Sequence, residues 1–132
     1  MKNVILCVDD EAIVLDSLRL QLQSQLGEGF TCECAESAEE GLELIEEIIE
    51  EGDRVVVVIS DWLMPKMKGD EFLIQLHQRH PEIAKIILSG QSDKAAIQGL
   101  YNKANLRGFV SKPWQYQELL QMVKTAIGTS NR

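Results

Sequence analysis

Val55-Val56-Val57-Val58-Ile59-Ser60-Asp61 is the stretch that decides the fold. A strand with one face in water alternates apolar and polar side chains, whereas a strand covered on both faces reads as an unbroken β-branched run. The stretch therefore predicts the centre of a sheet with helices on both sides. It also predicts that the strand stops at Asp61, which places a carboxylate on the carboxyl edge of the sheet. In open parallel sheets that edge is where ligands bind.

Working outward, other apolar runs end in polar groups the same way. Val4-Ile5-Leu6-Cys7-Val8 leads into Asp9-Asp10, Ile86-Ile87-Leu88 into Ser89, and Phe109-Val110-Ser111 into Lys112-Pro113. Four strands thus deliver three acids, a hydroxyl and an amine to one rim.

Helical patterns fill the gaps. From about Glu11 to about Leu26, Val14, Leu18 and Leu22 share a face with Leu15 and Leu26, and Gly27 and Gly29 end the pattern. Phe30 to Ala35 alternates and reads as a half-exposed edge strand. Ser37 and Glu40 form a capping box for a helix whose expected buried stripe is Ala38, Leu42, Ile45 and Ile49. Asp70 reads as the cap of a helix carrying Phe72, Leu73 and Leu76, and Pro81 separates it from a strand over Ile83 to Leu88. Ser92 or Asp93 is expected to start a shorter helix with Ile97, Leu100, Tyr101 and Ala104. Gly108 to Ser111 is the last strand. The last helix, from about Gln115, carries Leu119, Val123 and Ile127.

Five strand–helix repeats predict an α/β fold, a five-stranded parallel sheet wound doubly as (β/α)5. With right-handed crossovers the flavodoxin-like order 2-1-3-4-5 fits, since the second strand reads as an edge and the first and third as buried. Its switch point lies between the first and third strands, where Asp9, Asp10 and Asp61 meet. Residues 1–127 read as one domain and 128–132 as a linker-like or frayed C-terminus. Because Met1 opens the domain at once, the chain is expected to be a small whole protein or, more in keeping with that end, the N-terminal part of a longer one.

Composition narrows the function. The chain has 132 residues, 45% of them hydrophobic, and a net charge of −8. That balance argues against direct nucleic-acid binding, which Lys and Arg drive by neutralising phosphates. No apolar run approaches the roughly 18 residues of a membrane span, and no signal-peptide pattern opens the chain, so a cytoplasmic location without membrane attachment is expected. Cys7, Cys32 and Cys34 are odd in number and read as reduced core thiols rather than a disulfide framework or a redox pair. The acidic stretch Glu36 to Glu51 reads as the solvated face of a helix.

Three carboxylates converging on one rim repel one another, by about 4 kcal/mol per pair at roughly 4 Å and an effective dielectric of about 20. A compensating cation follows. Oxygen ligands without His or Cys indicate Mg²⁺, or Mn²⁺, rather than zinc. Lys112 adds a point charge and Ser89 a hydroxyl, which together suit a phosphoryl group on a carboxylate. Acids after strands are often only helix caps, but all five groups together are not explained by capping.

These residues carry a resemblance. Asp9-Asp10, Asp61 with Met64-Pro65 and Gly69, Ser89-Gly90, and Phe109 with Lys112-Pro113 are similar to the motifs of the receiver domain of two-component response regulators, the chemotaxis receiver included. The resemblance spans about residues 2 to 127. It implies that Asp61 is the phosphoacceptor, with Asp10, Asp61 and the backbone carbonyl of Leu63 binding Mg²⁺ directly and Asp9 mostly through water. It implies that Lys112 pairs with the phosphoryl group, Ser89 hydrogen-bonds it, and Phe109 is the aromatic switch whose rotamer follows Ser89. It implies a cis peptide at Lys112-Pro113. The expected partners are a sensor histidine kinase or phosphotransfer protein as donor and a downstream effector domain or protein, with a homodimer possible on phosphorylation. The surface expected to change covers Ala95 to Ala104, Phe109 and the last helix.

Other residues refine this. Leu63 cannot orient an attacking water, so slow autodephosphorylation is expected, and a phosphatase of the Asp-x-Asp type lacks its second Asp. Trp62 reads either as a partly exposed rim aromatic or as a contact for a phosphodonor or a fluorescence reporter of Mg²⁺. Trp114 reads as surface packing, and His77 and His80 as surface residues. The other functional class is a Mg²⁺-dependent, phosphatase-like hydrolase using the same acids. It would need a water-activating base and a substrate pocket.

Overall fold

The structure is a computed structural model and describes residues 1–90 and 94–130. Ten elements alternate along the chain: β1 (Asn3–Val8), α1 (Ala12–Leu26), β2 (Phe30–Ala35), α2 (Ala38–Glu50), β3 (Arg54–Asp61), α3 (Gly69–Arg79), β4 (Ala84–Ser89), α4 (Lys94–Lys103), β5 (Leu106–Ser111) and α5 (Tyr116–Ser130). All pairings are parallel, and the strand order is β2-β1-β3-β4-β5. This is the order expected from the sequence.

The sheet separates two cores. On one side α2, α3 and α4 bring Ile45, Ile48, Phe72, Leu73, Leu76, Ile97 and Leu100 onto Val4, Leu6, Val8 and Val58. On the other, α1 and α5 bring Leu15, Leu18, Leu22, Leu119 and Val123 onto Ile5, Cys7, Ile59 and Ile86. A strand between two helical layers has no polar face, which is why the β3 run is unbroken. A register shift helps: Val4 pairs with Val55 but Ile5 with Val57, so Val56 is an extra residue. Val56 and Val57 then both join the α1/α5 core.

Several details differ from the sequence reading. The buried stripe of α2 is Ala38, Gly41, Ile45 and Ile48, not Ala38, Leu42, Ile45 and Ile49. Ile49 is 38% exposed. Both stripes have helical spacing, and Gly41 decides between them. A Cβ there would lie 3.2 Å from Val8 Cγ2 and 3.3 Å from Phe72 Cζ, so α2 presents its residue without a side chain where Val8 and Phe72 approach. Lys68, not Asp70, is the N-cap of α3, and Asp70 Oδ1 accepts from the Glu71 N–H instead. The helix α5 continues to Ser130, past the Gly128 where the linker-like end was expected. The expected helix start at Ser92 or Asp93 and the last two residues of the tail lie outside the described residues.

Cys7 and Cys32 are buried and Cys34 half-buried, all three as free thiols. The hydrogen bond to Cys32 and burial both push the Cys34 thiol up, which opposes thiolate chemistry. Among the described residues, no helix is long and apolar enough to cross a membrane.

Candidate functional site

The parallel register aligns the carboxyl ends of four strands. Val8 lies beside Ser60, Asp61 beside Leu88, and Ser89 beside Ser111. The residues at or just past those ends therefore meet on one rim. Asp61 closes β3 and Ser89 closes β4, at 6% and 2% exposure. Asp9, one residue past β1, is 1% exposed, while Asp10 is exposed. A carboxylate oxygen from each of Asp9, Asp10 and Asp61 lies within 4.8 Å of the others.

Lys112 follows β5, its N–H donating to the Ser89 carbonyl at 2.9 Å. Its Nζ donates to Asp9 Oδ2 at 2.8 Å and lies 3.4 Å from Asp61 Oδ1 and 3.7 Å from Glu11 Oε1. The Lys112-Pro113 peptide is cis. Asp10, Glu11, Asp61, Leu63, Ser89, Gly90 and Lys112 line a pocket of about 310 Å³ over this cluster.

Backbone groups orient the acids. The Trp62 N–H donates to Asp61 Oδ1 at 2.9 Å, and the Glu11 N–H donates to Asp9 Oδ1 at 2.9 Å. The loop after β3 closes through Gly69, whose N–H donates to the Trp62 carbonyl at 2.9 Å. A Cβ on Gly69 would collide with the Asp61 carbonyl oxygen and sit 3.0 Å from Trp62 Cα. Only glycine lets the start of α3 approach the end of β3 this closely.

The electrostatics follow the geometry. Burial, and then the charge of Asp9, push Asp61 above the usual carboxylate range, although Lys112 and the Trp62 N–H pull it down. Burial pulls Lys112 down, but its hydrogen bond to Asp9 and the charges of Asp61 and Asp9 outweigh this and hold it above the usual lysine value. The cluster is short of positive charge: Lys112 is the cation lining the pocket among the described residues. Its ligand atoms are all oxygens, which fits a hard divalent cation such as Mg²⁺.

Asp9, Asp10, Asp61, Leu63, Ser89 and Lys112 meet on the rim, with Phe109 half-buried on β5 and packed against the α4 side of the core. The Trp62 and histidine expectations change, whereas Trp114 packs at the start of the last helix as expected. Trp62 is 7% exposed, because it packs with Met64 into the core under the loop rather than standing on the rim. His77 is half-buried, its Nδ1 3.1 Å from Lys85 Nζ, and His80 Nε2 pairs with Glu46 Oε1 at 2.6 Å. Trp114 is half-buried and donates from Nε1 to Gln21 Oε1 at 2.8 Å, tying the start of α5 to α1. Glu11 was not singled out as a rim residue; its place directly after Asp9-Asp10 was the available signal.

The comparisons with known proteins agree with this geometry. The family model described as "Response regulator receiver domain" matches residues 5–124. The sensor kinase CckA of Brucella abortus is 36% identical over 125 residues, covering 95% of this chain and 12% of that protein. The hydrogenase transcriptional regulatory protein HoxA of Cupriavidus necator is 33% identical over 123 residues, covering 93% of this chain and 24% of that protein. The signal receiver domain of an HD domain-containing protein from Pseudomonas fluorescens Pf-5 superposes with a TM-score of 0.86 at 29% identity, covering 99% and 98% of the two chains. The chain thus spans a quarter or less of these two curated relatives' lengths. With one family model running almost end to end over a sheet whose rim carries these acids, the chain belongs to the response regulator receiver family.

Proposed function

We infer that the domain is a phosphorylation-dependent signalling switch with Asp61 as its phosphoacceptor. The observation that carries this is the half-balanced cluster itself: three carboxylate oxygens within 4.8 Å of one another, with Lys112 as the neighbouring cation. Nothing in the packing requires that repulsion. Asp10, Asp61 and the Leu63 carbonyl are the residues suited to hold Mg²⁺ directly. Asp9, already engaged by Lys112 and the Glu11 N–H, suits a contact through water. When bound, the ion supplies positive charge against the phosphoryl oxygens.

In the reaction, an Asp61 carboxylate oxygen forms a bond to phosphorus as the donor's bond to phosphorus breaks, and the leaving group takes a proton. The product is an acyl phosphate. Lys112 swings from Asp9 toward the new charge, and Ser89 donates to a phosphoryl oxygen. Ser89 closes β4 next to β5, so its shift opens space for the half-buried Phe109 to turn inward and alter the surface of α4, β5 and α5. The donor is a sensor histidine kinase or a phosphotransfer protein, and the readout is an effector domain or protein or a homodimer. The relatives named above are a sensor kinase and a transcriptional regulatory protein, and the output proposed for this domain is left to the sequence it is joined to.

A hydrolase reading has less support. Leu63, 43% exposed at the pocket, stands where a water-orienting side chain would act. Incubation with acetyl phosphate and Mg²⁺ separates the two. A switch gives stoichiometric, acid-stable, alkali-labile modification without turnover of other phosphate esters; sustained turnover of such esters supports the hydrolase.

A further inference from the structure

We propose that Glu11 is a positioning residue that restrains Lys112 and thereby slows phosphorylation of the resting domain; this rests on Asp61 being the acceptor. Glu11 is the N-cap residue of α1, yet its side chain makes no capping hydrogen bond. The cap is fixed from the other direction: Asp9 Oδ1 accepts the Glu11 N–H at 2.9 Å, which anchors the backbone and leaves the carboxylate free for the pocket. That carboxylate lines the pocket and comes within 3.7 Å of Lys112 Nζ.

One ammonium is therefore divided among three acids. Asp9 holds it at 2.8 Å, Asp61 lies at 3.4 Å and Glu11 at 3.7 Å. Asp9 and Glu11 both draw it away from the oxygen that must receive the phosphoryl group. Asp9 is buried and Glu11 is 61% exposed at its side chain, so Glu11 is the partner that can be altered without stranding a charge in the core. Glu11 also faces an incoming donor, which is itself an anion. Its charge thus acts twice against the reaction, by holding Lys112 and by repelling the donor. The same charge favours a divalent cation in the pocket.

These two effects have opposite signs, which gives a signature that a loss of structure cannot produce. In Glu11→Gln, the rate of modification by acetyl phosphate at saturating Mg²⁺ is expected to rise by about two- to fivefold, as suits a solvent-exposed charge. The affinity for Mg²⁺, followed by tryptophan fluorescence without any donor, is expected to fall. A variant that is merely damaged loses both. A rate at or below that of the parent, with the parent modified on Asp61, overturns the role of Glu11 and leaves the acceptor assignment standing. A parent that is not modified at all overturns that assignment, and the role of Glu11 with it.

Discussion

Lys112 belongs to Asp9 in the resting molecule: its ammonium donates to Asp9 Oδ2 at 2.8 Å. Asp61, at 3.4 Å, is the more distant partner. Asp9 is 1% exposed, so removing the ammonium leaves a carboxylate with little water to stabilise it. Lys112→Met is expected to destabilise the metal-free protein by about 2–4 kcal/mol; the Lys112 side chain stays 16% exposed, which keeps the loss below that of a fully buried pair. Urea unfolding with and without Mg²⁺ checks this, and the ion is expected to recover part of the loss.

Lys85 gives a second charge-linked prediction. It is 0% exposed on β4 and donates to the Ile83 carbonyl at 2.7 Å, with His77 Nδ1 at 3.1 Å. Burial pulls it down from 10.5 to about 8, with Arg107 adding to the fall and Glu82 opposing it. A lysine lowered on folding is protonated more readily when unfolded, so stability rises with pH from about 8 to the usual lysine range and is lost again as pH falls through 8. The gain is about 3 kcal/mol at most. Lys85→Met is expected to abolish that rise and to be more stable than the parent at neutral pH. Denaturant unfolding of both proteins between neutral and alkaline pH measures the difference.

Gly69 tests the link between packing and site. The Cβ of Gly69→Ala meets the backbone of Asp61 and Trp62, which cannot move aside as a flexible side chain would. A loss of about 2–3 kcal/mol in stability is expected. Because the clash falls on the backbone of Asp61, weaker Mg²⁺ binding is expected with it. Calorimetric unfolding and a fluorescence titration report the two effects separately.

The lifetime of the proposed acyl phosphate is expected to depend on Leu63. It is 43% exposed at the pocket and offers no group to orient water. Leu63→Asn is expected to shorten the acyl-phosphate lifetime by about tenfold, the low end of the contribution of a positioned proton-transfer group. The decay of phosphorylated protein after donor removal measures it, and equal lifetimes contradict the role assigned to Leu63.

Much of this was legible in the sequence because one physical rule controls it. Strands covered on both faces are apolar almost throughout, so an acid or hydroxyl at the end of the run marks the rim, and Asp9, Asp61 and Ser89 were readable for that reason. What was not legible depends on packing between elements distant in sequence. The phase of α2 rests on the approach of Phe72 to Gly41, which helical spacing alone cannot choose. Trp62 follows a rim residue, yet its ring turns under the loop to join Met64. Lys85 hides in an apolar strand because a carbonyl two residues away and a histidine of α3 accept its hydrogen bonds. The side chain of Glu11, which makes no cap bond, reaches the pocket while its N–H is held by Asp9.

Every role proposed for the rim depends on Asp61 receiving the phosphoryl group. Intact-mass measurement of the parent and of Asp61→Asn after incubation with acetyl phosphate and Mg²⁺ tests it most directly. One added phosphoryl group is expected on the parent, abolished by chelating the metal, and none on Asp61→Asn. An unmodified parent, or equal modification of Asp61→Asn, would contradict it.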